Sequence, residues 1–390
     1  EAISRLSKGF RTDLVTRQRP QLATIFVRAL QVAVAAPAAA PTNKLLRSRF
    51  ISFVHRMVEC LGPALLPYLP SALEVLLSTQ ADVQDLSDLV VLVNQLLSRF
   101  REALGGLLEV LLPPLVVRVH AALGPDWDWS GKLATPSAMR SGTDGAAVTV
   151  EDARERGELQ RVYYLLLSAV TSAGMSTALL KVPPAALEAA VLGLTRGAAT
   201  HVDPNVRRTC LQVFSRLVGD WCSSPAPASG ASGAAVASTA PASGGGPPAG
   251  GEVVPGFRRY AMERLGEEAC IVGLLRPAAG GGGPGPGATT GPSAVFLDTR
   301  DAAVLHLLGD AAGALKLIYA KCGEEFPAHL VGAVLPAVGL ASAAQQQLIY
   351  LIREGEAKEL RDYLRALVAQ AQQAQQQQQQ QQQGVAAGGR

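Results

Sequence analysis

Apolar residues in this chain recur at steps of three and four, and that period limits most what it can fold into. From Asp82 they run Val83, Leu86, Val90, Val93, Leu97 and Phe100. Val206, Cys210, Phe214, Leu217 and Trp221 repeat the spacing, as do Leu305, Leu308, Ala312, Leu315 and Tyr319. A helix gathers such residues into one stripe, whereas a half-buried strand needs strict alternation. Alternating runs of Val, Ile, Thr and Tyr are nearly missing, and only 5% of residues are aromatic. The spacing predicts an all-α chain. Start signals agree: Asp203-Pro204 supplies a cap acceptor before a proline at the first helical position, and Ser71 with Glu74 fits a capping box. Gly62-Pro63, Gly323 and Gly355 are expected stops.

The helices so marked fall into about seven pairs: 3–18 with 20–36, 44–61 with 63–79, 82–102 with 104–122, 152–173 with 176–196, 204–222 with 256–275, 297–322 with 326–340, and 342–354 with 356–370. A single hairpin cannot hide its apolar faces, so each needs the next. Hairpins in series joined by short turns predict an α-solenoid of HEAT type, with an irregular bundle as the alternative.

Thirty-nine glycines and 25 prolines demand irregular segments as well. Stretches of Ala, Ser, Gly and Pro bury too little surface to offset their chain entropy. The expected organisation is helix pairs over 1–122, a loop insertion at 123–150, helices over 151–222, a disordered linker at 223–254, a helix at 255–276, a Gly-rich loop at 277–295, helix pairs over 296–370 and a Gln-rich tail at 371–390. The nine glutamines from Gln375 to Gln383 either extend the last helix or fray.

The inventory of reactive groups is poor. The sequence has no GxxxxGK[ST], GxSxG, HExxH or EF-hand loop, and the Gly281–Gly287 run leads into neither a lysine nor a helix start. The histidines at 55, 120, 201, 306 and 329 include no pair four apart, so no helical metal pair is expected. Cys60, Cys210, Cys222, Cys270 and Cys322 are odd in number and widely spaced, which argues against a disulfide framework or zinc ribbon and for a reducing compartment. The apolar runs 61–69 and 104–117 are interrupted by Gly and Pro, short of the ~20 residues a membrane span needs. Glu1 rather than Met opens the chain, which reads as a piece of a longer protein without a signal peptide. Neither an enzyme, a cofactor nor a metal is expected. Asp126-Trp127-Asp128-Trp129 is the most unusual short run: two indoles that stack on a ligand, or a loop anchor solvated by its acids.

Charge is more informative. The first sixty residues hold ten Lys or Arg against Glu1, Asp13 and Glu59, while the whole chain carries only +3. Arg49 and Arg56 are seven apart and share a helical face, with Lys44 and Arg47 close to it. Such a row either tracks a phosphate backbone, drawing affinity from counterion release, or simply solvates a helix. Arg47, Arg49, Arg56 and Lys44 are the first candidates for phosphate contacts, and Arg207 and Arg208 the second.

Arg49-Phe-Ile-Ser-Phe-Val-His-Arg-Met-Val-Glu-Cys-Leu61, then Leu66-Pro-Tyr-Leu-Pro-Ser-Ala-Leu73, resembles the carboxy-terminal HEAT region of the exportin-T family, the nuclear export receptors for tRNA. Asp203-Pro-Asn-Val-Arg-Arg-Thr-Cys-Leu211, Phe214-Ser-Arg-Leu-Val218, Trp221, Ala302-Ala-Val-Leu-His306 with Lys316 and Tyr319, Leu330 to Pro336 and Leu348 to Leu367 follow in similar order, so the resemblance covers about 44–370. Ser223–Gly251, Pro277–Pro292 and the glutamine tail depart from it. The resemblance implies a monomeric receptor in the importin-β/karyopherin superfamily that binds tRNA cooperatively with Ran-GTP. Ran-GTP would contact mainly a more amino-terminal part. The receptor would meet nucleoporins of the nuclear pore and shuttle between nucleus and cytoplasm without membrane insertion. It also implies reading of RNA shape and backbone, since A-form RNA hides its base edges. A protein-cargo karyopherin and a HEAT scaffold subunit of an enzyme complex are the alternatives.

Overall fold

The structure, a computed structural model, describes residues 2–78, 82–131, 150–222, 252–275 and 297–388. These residues contain helices and no strand. The helices are α1 (Ala2–Leu6), α2 (Pro20–Ala39), α3 (Lys44–Leu61), α4 (Leu69–Ser78), α5 (Val83–Phe100), α6 (Gly105–Leu123), α7 (Val150–Ser172), α8 (Pro184–Thr200), α9 (Pro204–Trp221), α10 (Phe257–Tyr260), α11 (Gly273–Leu275), α12 (Ala302–Cys322), α13 (Glu325–His329), α14 (Leu335–Ala337), α15 (Ser342–Arg353) and α16 (Ala357–Gly388). Of the insertions expected at 123–150, 223–254 and 277–295, residues 132–149, 223–251 and 277–295 lie outside the described residues. Two compact units divide the chain, Glu1–Val213 and Phe214–Arg390.

In the first unit the leading helices of successive pairs stack, α3 on α5 and α5 on α7, while α2, α4, α6 and α8 stack in a second row. Two rows of helices, each touching its counterpart one pair along, are the arrangement of a HEAT-type solenoid, the expected fold class. The core lies between the rows: Met57, Val58 and Leu61 of α3, Val90 and Val93 of α5, Leu112, Leu115 and Val116 of α6, and Tyr163 and Leu166 of α7 are buried. In the second unit α12 packs against the π-helical stretch Ala261–Val272, α15 and α16. Its buried residues run Val304, Leu308, Ala311, Leu315 and Ile318, rotated from the stripe through Leu305 and Tyr319, which are half-buried. Contact with three neighbours covers more of α12 than a single stripe marks.

Local chemistry explains several ends. Asp203 Oδ1 accepts from Asn205 N (2.8 Å) at the start of α9, as Asp203-Pro204 predicts. Several expected boundaries differ. The 3–18 helix is broken into α1, a 3₁₀ turn at Ser7–Gly9 and a π-helical turn at Leu14–Gln18, because Phe10 is extended (φ −92°, ψ 124°). Ser71 lies inside α4, since the helical run starts at Gly62-Pro63 as a 3₁₀ segment, Gly62–Tyr68. The partner of α7 starts at Pro184, after a 3₁₀ segment at Ser176–Lys181. The 326–340 helix is split by a π-helical turn at Leu330–Val334. The backbone of α16 continues helically through the glutamine run.

Prolines 67, 70 and 113–114 fall within helical runs rather than ending them. Lys44–Ser78 and Val83–Leu123 consequently run on as single helical stretches, and these two, with Pro20–Ala39 and Ala302–Cys322, are long and apolar enough to cross a membrane by length and composition. That corrects the expectation drawn from interrupted runs.

One backbone feature exposes the internal repeat that the residues conceal. The residue after α3 is Gly62 (φ 52°, ψ −133°), after α12 it is Gly323 (φ 63°, ψ −145°), and after α5 it is Arg101 (φ 43°, ψ −121°). The same kink turns each leading helix into its partner, and in one case a non-glycine residue occupies it. A side chain held at such a φ costs about 1–3 kcal/mol, against roughly 0.5–1 kcal/mol for the extra unfolded-state freedom of glycine. Arg101→Gly is expected to stabilise the chain by about 1 kcal/mol, seen as a higher urea midpoint; an unchanged or lower midpoint contradicts the strain.

Candidate functional site

The six cations singled out from the sequence fall into different environments. Lys44 opens α3, is exposed, and sets Nζ 2.5 Å from Asp82 Oδ2. That hydrogen bond, and next the charge of Asp82, raise the Lys44 pKa. Burial works against the Asp82 carboxylate, but Lys44 and the Asp85 N–H outweigh it and hold the group below its usual range. Asp82 also caps α5, accepting from Asp85 N at 2.8 Å.

Arg47 is only 2% exposed. Its Nε donates to Asp85 Oδ2 at 2.9 Å, Nη2 donates to the same oxygen, and Nη1 donates to the Pro41 carbonyl. The guanidinium therefore ties α3 to α5 and to the chain after α2. Arg207, 5% exposed, donates from Nε to the Ala198 carbonyl at 2.9 Å. Ala198 belongs to the last turn of α8, whose carbonyls lack intrahelical partners, so Arg207 acts as a C-terminal cap. Both arginines are withdrawn from the phosphate contacts: they are inside and already matched to acceptors.

Arg49 is exposed and Arg208 half-buried. Arg56 is half-buried and faces the N-terminal segment, where Nε donates to Ser7 O (3.1 Å) and Nη2 to Phe10 O (3.1 Å) and Ser7 O. Arg47 and Arg56 thus leave α3 toward different neighbours, and the expected single row does not form.

What the fold does assemble is a basic cleft of about 1080 Å³, lined by Lys8, Arg11, Arg17, Arg56 and Arg99 with Asp13, Glu59 and Phe10 among the remaining walls. Lys8, Arg11, Arg17 and Arg99 are exposed. Of the two carboxylates, Asp13 Oδ1 lies 3.6 Å from Arg17 Nη1 with both groups largely in solvent, a weak and salt-sensitive pair. Concave walls of one prevailing sign concentrate counter-ions. Lys8, Arg11 and Arg17 belong to the basic first sixty residues but stood on a helix expected to be regular. Arg99 arrives from α5 only because α5 stacks on α3, and no local pattern announces that.

The two-tryptophan run resolves as an anchor. Trp129 is 7% exposed, its ring 5.5 Å from His120 and 6.0 Å from Tyr164. Trp127 Nε1 donates to Gln160 Oε1 (2.7 Å), and Gln160 Nε2 donates to the Trp129 carbonyl (3.0 Å), so one α7 side chain holds both. Asp128 is used locally, accepting from Ser130 N at 2.9 Å. Burial pushes His120 down to about 4, which keeps it neutral beside Tyr163. His55 meets Gln95, and His329 lies 2.9 Å from Glu267. The five cysteines are free, four of them buried, and burial raises the Cys60, Cys210, Cys222 and Cys322 thiols. Among the described residues no group of three or more His, Cys, Asp or Glu is placed to hold a metal ion.

The Exportin-T of Arabidopsis thaliana is 28% identical over 368 residues, 94% of this chain and 32% of its own length. That of Oryza sativa subsp. japonica is 28% identical over 333 residues, covering 85% of this chain and 28% of the relative. The human Exportin-T is 23% identical over 369 residues, 95% of this chain and 32% of the relative. The chain spans about a third of the length of these relatives. The sequence model of the Exportin-T family matches residues 1–271, which takes in every helix of the first unit, and on that match the chain belongs to the exportin-T family.

Proposed function

We propose that this chain forms part of a nuclear export receptor for tRNA, which binds tRNA cooperatively with Ran-GTP and carries it through the nuclear pore to the cytoplasm. The family match over 1–271 carries the reading. The exposed cations of the first unit support it, because a surface that meets A-form RNA must supply positive charge along the backbone rather than groups that read base edges. Arg49, Lys44 and Arg208 are the contacts retained from the sequence, and Arg56 contributes through the cleft that it lines. Ran-GTP engages mainly the portion of the relatives that this chain does not span, nucleoporins are met in transit, and the receptor works as a monomer in nucleus and cytoplasm without entering the membrane. It is a transport receptor and not an enzyme; coupling between two ligands, not bond chemistry, is its mechanism.

Coupling is reciprocal: if Ran-GTP raises tRNA affinity by some factor, tRNA raises Ran-GTP affinity by the same factor. The test is retention of tRNA by the complete receptor with Ran loaded with GTP, with GDP, or absent. Retention is expected to rise at least tenfold with Ran-GTP, as a coupling of about 1.4 kcal/mol provides. Equal retention in all three arms, or a matched gain with Ran-GDP, contradicts the proposal.

A further inference from the structure

Resting on the tRNA reading, we infer that the cleft at the N-terminal end of the first unit is a binding site for unpaired RNA nucleotides, with Arg11, Arg17, Arg99 and Lys8 meeting phosphates and Phe10 offering a face to a base. Three observations converge. The first is size. At about 1080 Å³ the cleft stands at the upper end of ligand pockets, which run to about 1,000 Å³. That admits a few nucleotides of a single strand and is far too small for a duplex. The second is charge: five cations against two carboxylates, one of them shared with Arg17.

The third is composition. Phe10 is half-buried on the cleft wall, with its ring 5.9 Å from that of Phe26 at 54°, which anchors it from behind. Cations beside an anchored aromatic ring make up a single-strand groove, in which the backbone follows the charge and bases stack without sequence preference. The cleft is also held open by built contacts. Arg56 clips the Ser7 and Phe10 carbonyls. Thr12 Oγ1 donates to the Glu59 carbonyl at 2.8 Å. Gly62 allows Thr12 this close, since a Cβ there would lie 2.7 Å from Thr12 Cγ2. Arg56 is accordingly a positioning residue, with its donors on the wall itself.

The experiment is fluorescence anisotropy of the 390-residue chain with a labelled eight-nucleotide oligoadenylate, and with a blunt RNA hairpin of equal charge. The single strand is expected to bind at least tenfold more tightly than the hairpin. Phe10→Leu, which keeps apolar bulk against Phe26, is expected to weaken the single strand about tenfold while leaving the slope of log affinity against log salt unchanged. Arg11→Gln with Arg99→Gln, both at exposed positions, should lower that slope by about 1.4, the contribution of two phosphate contacts on a single strand. Preference for the hairpin, no binding of either probe, or an unchanged slope in the double variant overturns the assignment. tRNA binding is followed in parallel. A parent chain that ignores the oligoadenylate, or cleft variants that bind it as the parent does, within a receptor that retains tRNA with Ran-GTP, defeats the cleft and leaves the export reading standing. A chain that binds oligoadenylate in the cleft, within a receptor that ignores tRNA with Ran-GTP, does the reverse.

Discussion

Asp85→Ala is expected to destabilise the first unit by about 3–5 kcal/mol, the cost of leaving a buried guanidinium without its carboxylate. Arg47 and Asp85 are 2% and 7% exposed, and two of the three hydrogen bonds that the arginine donates go to one carboxylate oxygen. Neither group can regain water without opening the α3–α5 contact. The Lys44–Asp82 pair sits one turn away and partly in solvent, so it cannot replace the lost partner. Replacing both residues by apolar ones, Arg47→Met with Asp85→Leu, is expected to recover most of the loss, because a buried ion pair contributes little beyond a well-packed apolar pair. Urea unfolding followed by helical circular dichroism separates the cases. A loss below about 1 kcal/mol in Asp85→Ala would mean that Arg47 reaches solvent after all.

That arginine also shows where sequence reading stops. Helices, their period and several of their ends are local properties, and Asp203, Gly62 and Gly323 mark them as their chemistry requires. Whether a cation on a helix turns inward is not local. Arg47 is buried because Asp85 lies opposite on α5, 38 residues later, and Arg207 because α8 ends beside it with an unfilled carbonyl. Both partners come from stacking between pairs, which the periodicity of one helix does not encode. Arg49 and Arg56 were placed on one face by their spacing, but the extended backbone at Phe10 brings the N-terminal segment over Arg56 and leaves Arg49 outside. The cleft was half legible. The charge bias of the first sixty residues signalled a basic region, whereas the contribution of Arg99 needed the fold. In the Trp pair the local chemistry was sufficient, since acidic neighbours make a poor platform for phosphate and the ring of Trp129 is spent on the core.

The second large effect concerns the cargo. If exposed cations supply the affinity, each neutralised phosphate releases counter-ions. A receptor that engages about six phosphates then loses roughly a thousandfold in affinity between 50 and 200 mM salt. An apolar groove for a protein cargo would not respond in this way. The distinction between outer and inner arginines sharpens the expectation: Arg49→Gln should lower the slope by a little under one unit, about 0.9, whereas Arg47→Met in the repacked Asp85→Leu background should leave it unaltered.

The most direct measurement is therefore tRNA affinity of the receptor, saturated with Ran-GTP, as a function of salt. It is made on the parent, on Arg49→Gln and on the repacked Arg47→Met/Asp85→Leu chain. A steep log-linear decline, shallower in the first variant and identical to the parent in the second, is the predicted result. A flat dependence, or a slope that changes when the buried Arg47 is removed, would contradict it.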